Sequence, residues 1–294
     1  MLHGWIILDK PLGLGSTQAV GAVKRLLREA GEPKTKVGHG GTLDPLASGV
    51  LPIALGEATK LAGRMLDATK TYEFTIRFGE ETDTLDMEGQ VIATSDVRPT
   101  AAQVEAVLPR FTGEIDQVPP IYSALKIEGK AAYKRARAGE QLEMKPRRTV
   151  IHELRTFGCP EDSVTLSANV SKGTYIRSLA RDIAQALNTV GHVTMLRRTR
   201  AGPFTLEQAI SLDFLSEAAK ARQLTRAVVP LEAALDDIPA LPVTPDQAQL
   251  LRHGQKLAGF PEQPGLCMAM LEGTPVALVE ATVDGLSVVR GFNL

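Results

Sequence analysis

A change of hydrophobic period within one short stretch, SVTLSANVSKGTYIRSLARDIAQAL (163–187), limits the folds open to this chain. Its first part has apolar side chains at every second position, namely Val164, Leu166, Ala168 and Val170. After Gly173 the apolar side chains recur at helical spacing, namely Ile176, Leu179, Ile183 and Leu187. A period of two is typical of a half-buried strand and a period of 3.6 of an amphipathic helix. The stretch therefore predicts a strand, a glycine turn and a helix, with Arg177 off the helix's apolar stripe and near its N-terminus.

Two more stretches have strand patterns. One is GWIILDKPLG (4–13), a short apolar run that ends in a proline–glycine turn. The other is TYEFTIRFG (71–79), which alternates strictly. Its alternation places four side chains on one face, namely Tyr72, Phe74, Ile76 and Phe78.

Helical periodicity recurs in STQAVGAVKRLLREAG (16–31), with Ser16 or Thr17 as N-cap, and in TAAQVEAVLPRF (100–111). Strand and helix patterns do not alternate as regular βαβ units. We therefore expect an α+β fold with a mixed, mostly antiparallel central sheet flanked by helices, rather than a doubly wound fold.

A domain boundary is expected at LDDIPALPVTP (235–245), where three prolines and two acids interrupt the pattern. The helix pattern PDQAQLLRHGQ (245–255) follows. Three short strand patterns with glycine-containing turns come after it, LCMAML, PVALVEATV and LSVVRGF. The C-terminal residues therefore predict a small β-rich module.

The composition excludes several classes of protein. No stretch approaches the roughly 18 consecutive apolar residues of a membrane helix. The N-terminus also lacks a basic region followed by an apolar core, the pattern typical of a signal peptide. We therefore expect a cytoplasmic protein. The two cysteines, Cys159 and Cys267, are far apart, and neither CxxC nor HExxH occurs. These patterns predict neither a disulfide framework nor a metal site.

A formal net charge of −1 conceals an asymmetry. Residues 204–294 carry 11 acids and 6 bases, whereas residues 121–155 carry nine Lys or Arg against four Glu. A local basic field can bind phosphates even in a neutral protein. On charge alone, this segment fits equally well a phosphate-binding surface or a solvated loop.

The stretch KVGHGGTLDPLASGVLPIALGEATK (36–60) carries the most informative acid, Asp44. Asp followed by Pro fits the start of a helix, with Asp44 as its N-cap. The alternative is a carboxylate surrounded by buried segments, which would need a cation such as Arg177. His39, between glycines, has the character of an exposed ring that can stack on a nucleobase. A phosphate cradle is less favoured, because neither GxGxxG nor GxxxxGK[ST] is present.

Five strings in this order resemble the successive motifs of the TruB-type tRNA pseudouridine synthases. They are LDKPLGLGST, KVGHGGTLDPLASGVLPIALGEATK, YEFTIRFGEETDTLDMEG, PPIYSALKIEGKAAYKRARAGE and SKGTYIRSLARDIAQALNTVGHVTMLRRTRAGPF. The resemblance implies a pseudouridine synthase catalytic domain over 1–236, with an RNA-binding thumb insertion over about 119–150. It also implies a PUA-like RNA-binding module over 242–294.

The same resemblance implies isomerisation of the T-loop uridine at tRNA position 55, by base flipping and without metal or cofactor. Asp44 matches the family's nucleophile, and Tyr72 the tyrosine that packs on the uracil and takes part in proton transfer. Arg177 matches the arginine paired with the nucleophile. Four more positions match residues around the flipped nucleotide: His39 in the base's former place, Asp86 in the polar network, and Tyr175 and Leu196 in the pocket wall.

Within the thumb, the resemblance makes the basic side chains phosphate-contact candidates. They are Lys126, Lys130, Lys134, Arg135, Arg137, Arg147 and Arg148. The implied partner is the T-arm stem-loop of tRNA, with no membrane, no obligate protein partner and a monomeric enzyme.

Two other hypotheses remain open on the sequence. One is a tRNA-folding or RNA-binding protein without catalysis, because the fold would support both roles. The other is the related synthase of guide-RNA particles, which the short C-terminal module and the lack of a lysine-rich tail make less favoured. The site of Asp44 attack, the sugar's anomeric carbon or carbon six of the ring, is also open, as is assistance to a glycal intermediate.

Overall fold

The computed structural model describes residues 1–259 and 264–294. Its α-helices are α1 (Ser16–Glu29), α2 (Ala62–Asp67), α3 (Ala101–Val107), α4 (Ala132–Arg137), α5 (Ile176–Ala186), α6 (Leu212–Lys220) and α7 (Pro245–Arg252). Its strands are β1 (Gly4–Lys10), β2 (Val37–His39), β3 (Ala47–Leu55), β4 (Lys70–Phe78), β5 (Glu80–Thr82), β6 (Val91–Thr94), β7 (Gly113–Gln117), β8 (Lys126–Ile127), β9 (Lys130–Ala131), β10 (Arg147–Gly158), β11 (Ser163–Val170), β12 (Gly191–Ala201), β13 (Phe204–Thr205), β14 (Ala240–Pro242), β15 (Gly265–Leu271), β16 (Thr274–Thr282) and β17 (Gly285–Gly291).

The large sheet has the strand order β1-β3-β12-β4-β11-β10-β7, with β2 on β3 and β13 on β12. Its pairs are antiparallel except β3 and β12, which run parallel. The predicted α+β class with a mixed, mostly antiparallel sheet is confirmed. The parallel pair sets Leu196 opposite Ala47, so β12 passes beside the start of β3, just after Asp44 in the chain.

The predicted strand–turn–helix is present as β11, a turn at Gly173 and α5. Gly173 has a φ of +79°, a left-handed conformation that glycine adopts without strain. Leu179 and Ile183 of α5 are fully buried against Phe74 and Ile76 of β4. This packing fixes the N-terminal end of α5 relative to the sheet.

The segment after Asp44 is a strand, so the helix-start interpretation of Asp44 and Pro45 is wrong. β3 is buried at every residue but Ser48. Leu51 packs into a cluster with α1, and Val50 packs into another around Trp5 on the opposite face. A strand covered on both faces is a continuous apolar run, which periodicity cannot distinguish from a buried helix.

Helix α1 begins one residue earlier than an N-cap at Ser16 would require, so neither Ser16 nor Thr17 is the N-cap. Gly15 is the N-cap residue, and its N–H donates to the side chain of Gln18 over 2.8 Å. The buried Ser16 hydroxyl is used for a long-range contact instead. It donates to the carbonyl of Leu43 over 2.9 Å and accepts from the Leu43 N–H over 2.8 Å. Ser16 thereby anchors the residue that precedes Asp44.

Two segments that leave the large sheet lie beside the Asp44 region. The β5–β6 hairpin carries the acidic turn with Asp86. Between β7 and β10 the chain forms the β8–β9 hairpin and α4, inside the segment predicted as a thumb. β10 begins at Arg147, so the last residues of that segment belong to the large sheet.

The C-terminal residues form a second sheet, of order β14-β15-β16-β17, with α7 beside it. This is the β-rich module that the sequence predicts. Met268 and Phe292 share an apolar cluster with Trp5 and Phe204 of the first part of the chain. The N–H of Asn293 also donates to Glu57 Oε2 over 2.9 Å. The module is therefore packed against the first part rather than tethered by a free linker.

Candidate active site

The loop that carries Asp44 is held by backbone contacts on both of its sides. Leu43 is bound by Ser16, as described above. The carbonyl of Pro45 accepts from the N–H of Gly13 over 2.8 Å and from Lys10 Nζ over 3.4 Å. With both neighbours anchored to the start of the chain, the carboxylate has little freedom to move.

Asp44 is paired with a buried arginine. Its Oδ2 lies 2.7 Å from Arg177 Nη2, and the Asp44 side chain is 41% exposed whereas that of Arg177 is 7% exposed. Arg177 Nη1 also lies 3.5 Å from Asp86 Oδ2. The structure thus brings together the three residues that the sequence assigned to one polar network. One guanidinium therefore lies beside two carboxylates.

Arg177 also binds two backbone carbonyls. Nη1 donates to Thr84 over 2.8 Å and Nη2 to Tyr122 over 2.9 Å. The side chain is buried because these segments cover the N-terminal end of α5, a long-range arrangement that helical periodicity cannot show. One guanidinium therefore joins the Asp44 loop, the Asp86 turn and the base of the predicted thumb.

The turn around Asp86 is rigidly constructed. Its Oδ1 accepts from Thr84 Oγ1 over 2.6 Å and from the N–H of Glu88 over 3.0 Å. Leu85 has a φ of +63° and its carbonyl accepts from the N–H of Val193 in β12 over 3.0 Å. A left-handed leucine persists only where its surroundings hold it, so this turn is fixed against the sheet.

Asp44 lies between two cavities. The smaller has a volume of about 340 Å³, and besides Asp44 and Arg177 three more of the predicted residues line it, namely Tyr72, Tyr175 and Leu196. Tyr72 is half-buried in β4, and Leu196 lies on the adjacent β12. Tyr175 is the N-cap residue of α5, and its N–H donates to Gln117 Oε1 over 2.8 Å. This side of Asp44 has the size and the aromatic lining of a small-molecule or nucleobase pocket.

The larger cavity, of about 650 Å³, lies on the other side of Asp44 and is lined by His39, Asp86 and Arg137 among others. His39 is in β2 and half-buried, so the expectation of an exposed ring on a loop is wrong. β2 pairs with β3, which holds the backbone of His39 in place. Burial, aided by the nearby Arg198 cation, lowers the pKa of His39 below its usual 6.5. A neutral imidazole at this wall is suited to stacking.

The basic residues of the predicted thumb do not form one uniform group. Arg135 is paired with Glu128 at 3.1 Å and with Glu140 at 2.5 Å, inside the insertion itself. The exposed members are Lys126, Lys130, Lys134, Arg137, Arg147 and Arg148. Of these, Arg148 lies 3.5 Å from Glu114 of β7, and Arg137 lies over the Tyr133 ring at 5.8 Å. Among the described residues, only some of the predicted phosphate-contact side chains therefore lack an ion pair or a cation–π contact within the protein.

Three cations of this region were not assigned a role from the sequence. They are Lys10, Lys70 and Arg198, all more than nine-tenths buried. Lys10 Nζ donates to the carbonyl of Leu14 over 2.6 Å, and Lys70 Nζ to those of Leu66 and Ala68 over 2.6 Å. Burial lowers the pKa of each lysine from 10.5 to about 8. Their partners are backbone carbonyls, which leave no pattern in a sequence.

The lowered pKa of Lys70 predicts that the folded protein becomes more stable as the pH rises above about 8. Between the folded value of about 8 and the unfolded value of 10.5, the unfolded chain binds the extra proton, so the free energy of unfolding rises with pH. Lys70→Met should show a smaller rise than the wild type, because it keeps only the contribution of Lys10, whose pKa is lowered in the same way. Urea unfolding at about pH 7.5 and about pH 9.5 measures it. An equal rise in both proteins would contradict the assignment.

The described residues form neither a metal site nor a membrane helix. Over 1–259 and 264–294, no group of three or more His, Cys, Asp or Glu side chains could hold a metal ion. Within the same ranges, no helix is long and apolar enough to cross a bilayer.

Known proteins match this chain along most of its length. A family model described as TruB family pseudouridylate synthase (N terminal domain) matches residues 24–176. A second, described as tRNA pseudouridylate synthase B C-terminal domain, matches residues 177–236. Among solved structures, a chain of an H/ACA RNP bound to a substrate RNA containing 2′-deoxyuridine superposes with a TM-score of 0.75. It is 26% identical, with 99% of this chain and 86% of that chain covered. A chain of a Cbf5-Nop10-Gar1 complex has a TM-score of 0.74 at 28% identity, covering 99% and 84%.

Two curated relatives are similar over their full lengths. The tRNA pseudouridine synthase B of Zymomonas mobilis subsp. mobilis is 63% identical over 292 residues, which are 99% of this chain and 96% of the relative. The protein of the same name from Novosphingobium aromaticivorans is 61% identical over 300 residues, covering 100% and 98%. With a family model over more than half of its residues and relatives at this identity, the chain belongs to the TruB family of pseudouridylate synthases.

Proposed function

We propose that this chain converts the uridine at position 55, in the T loop of tRNA, to pseudouridine, with Asp44 as the nucleophile. The observation that carries the proposal is the Asp44 carboxylate, which is half-exposed between two cavities and paired with a buried arginine. The names of the relatives support tRNA as the substrate. The motif string around Asp44 supports the T-loop uridine.

The reaction breaks the bond between uracil N1 and the sugar's C1′ and forms one between uracil C5 and C1′. N1 gains a proton and C5 loses one, so the product is an isomer and no redox partner is needed. Asp44 acts as an anion by attacking C1′, by assisting a glycal intermediate or by adding to ring carbon six. In each route Arg177 holds the carboxylate in position.

Uracil inside a folded loop is inaccessible to a carboxylate, so the nucleotide must be flipped out. We place the flipped base in the smaller cavity, where Tyr72 packs on it and Tyr175 and Leu196 enclose it. The RNA loop then lies over the larger cavity, with His39 filling the space that the base leaves. Enclosure of the base between these walls would retain the detached uracil until it has turned.

The rest of the chain serves RNA binding in this proposal. The catalytic domain spans 1–236, with a thumb over about 119–150 that grips the T-arm. The module over 242–294 is PUA-like, and residues 260–263 within it lie outside the described ranges. We propose a monomer without an obligate protein partner, acting in the cytoplasm, where its substrate is.

Tritium release tests the proposal. Isomerisation replaces the C5 hydrogen, so 5-tritiated uridine in an unmodified T-arm stem-loop should release tritium to water when only this chain is added. Tight binding without release would favour the RNA-binding protein without catalysis. Release that requires a guide RNA would favour the guide-particle synthase.

The exposed lysines of the proposed thumb predict that the affinity for RNA falls as the salt concentration rises. Lys126, Lys130 and Lys134 are exposed and belong to no ion pair within the described residues. Removing one lysine that neutralises a phosphate should reduce the slope of log affinity against log salt concentration by about 0.7–0.9. The triple Ala variant should therefore have a shallower slope than the wild type by about 2.

The measurement is a fluorescence-anisotropy titration of the T-arm stem-loop over a range of salt concentrations. Lys220→Ala is the matched control, because Lys220 is exposed on α6, outside the thumb, and paired with Glu217 at 2.8 Å. Equal slopes for the triple variant and the wild type would show that these lysines do not contact phosphates.

A further inference from the structure

Arg198 is an almost fully buried arginine, 1% exposed, in the middle of β12. Its Nε donates to the carbonyl of Val50 over 2.7 Å, and its Nη1 to the carbonyl of Thr42 over 3.3 Å. These carbonyls lie on the two sides of Asp44 along the chain. A single guanidinium therefore ties together the beginning and the end of the segment that carries the proposed nucleophile.

The same guanidinium contacts the proposed pocket tyrosine. Arg198 and Tyr72 are direct register partners on β12 and β4. The Cζ atom of Arg198 lies 6.0 Å from the centroid of the Tyr72 ring, within the range of a cation–π contact. Asp44, Tyr72 and Arg198 all line the smaller cavity. Arg198 is thus in position to set the arrangement of the other two.

Stability alone does not explain this residue. Among the described residues, no carboxylate forms an ion pair with Arg198, and its buried Nη2 has no hydrogen-bond partner. Its positive charge also repels the neighbouring cations Lys10 and Lys70. Burial is the main cause of the lowered pKa values of these two lysines, and the charge of Arg198 lowers them further. An unpaired buried charge destabilises a fold, and an apolar side chain of similar volume is often more favourable.

The guanidinium of Arg198 also packs beside the loop at Gly41. A Cβ at Gly41 would lie 3.4 Å from Arg198 Nη1 and 3.6 Å from Nη2. Gly41 has a φ of +149°, a conformation that side-chain-bearing residues rarely adopt. The guanidinium therefore lies within van der Waals reach of the loop at Gly41, where the backbone conformation favours glycine.

We propose that Arg198 is a positioning residue for the isomerisation, which fixes the Asp44 segment and the Tyr72 ring in one reactive arrangement. The inference rests on the roles proposed above for Asp44 and Tyr72. A displacement of about 1 Å in a reacting group can lower a rate by about 100-fold. Loss of Arg198 should therefore reduce the rate of the chemical step and leave RNA affinity largely unchanged.

The test compares Arg198→Met and Arg198→Lys with the wild type in single-turnover pseudouridine formation on the T-arm stem-loop. We expect about 100-fold slower conversion for Met, partial rescue by Lys, and dissociation constants within about 3-fold of the wild type. Rates are expressed per folded molecule, with the folded fraction taken from circular dichroism. Arg197→Met is the matched control, because the neighbouring Arg197 pairs with Asp9 at 2.8 Å and does not line the cavity.

A double-mutant cycle with Tyr72→Phe separates positioning from a general structural effect. If Arg198 acts through Tyr72, the rate loss from Arg198→Met is smaller in the Tyr72→Phe background than in the wild type. Multiplicative losses would overturn the action through Tyr72, and a wild-type rate per folded molecule for Arg198→Met would overturn the whole inference. An inactive wild type would instead refute the proposed function.

Discussion

Asp44→Asn should bind the T-arm stem-loop with wild-type affinity and form no measurable pseudouridine. Asparagine keeps the size of the side chain and one oxygen that can accept from Arg177, so the loop should keep its position. The neutral amide cannot act as the anionic nucleophile, and removal of a nucleophile typically lowers a rate by at least about 10⁴-fold. Single-turnover kinetics with the tritiated stem-loop measure the loss, and anisotropy measures the affinity.

Asp9→Asn provides the control for loss of an arginine–carboxylate pair as such. Asp9 is held by Arg197 at 2.8 Å, a distance close to that of the Asp44–Arg177 pair, and its side chain is 36% exposed. This variant should isomerise uridine at the wild-type rate. Product formation by Asp44→Asn above about 1% of the wild-type rate would contradict the nucleophile assignment. An equal loss in Asp9→Asn would attribute the effect to folding.

Local patterns predicted the strands and helices that have one buried face. β4 and β11 alternate along their length, and α5 has a continuous apolar stripe, so their periods are visible in the sequence. β3 was ambiguous because it is buried on both faces and therefore has no alternation. Its neighbours in the sheet, β1 and β12, come from distant parts of the chain, and only their packing distinguishes a strand from a buried helix.

The contacts of the candidate site likewise fall into those that could be predicted from the sequence and those that could not. A buried carboxylate requires a cation, so chemistry suggested a partner for Asp44, and the motif resemblance pointed to Arg177. The contacts of Ser16, Lys10 and Arg198 with the Asp44 segment could not be predicted, because each is a hydrogen bond to a backbone group of a distant residue. Such contacts depend on the chain path and impose no residue type at the accepting position.

Arg177→Met should both destabilise the protein and lower its activity. The substitution leaves Asp44 facing a nearly buried Asp86 without the cation between them, and it removes donors to the carbonyls of Thr84 and Tyr122. Breaking a buried pair by removing one partner typically costs about 3–5 kcal/mol, and the exposure of Asp44 favours the lower figure of about 3 kcal/mol. Urea unfolding measures this cost.

Activity measured on the folded fraction of Arg177→Met should still be at least about 100-fold lower, because the carboxylate loses its orientation. Arg181→Met is the matched control, one turn later on α5, where the arginine pairs with Asp182 at 2.8 Å and lines neither cavity. It should lose less stability and keep its rate per folded molecule. Equal losses in the two variants would mean that Arg177 supports only α5, whereas a loss confined to Arg177→Met would mean that the pair with Asp44 serves the reaction.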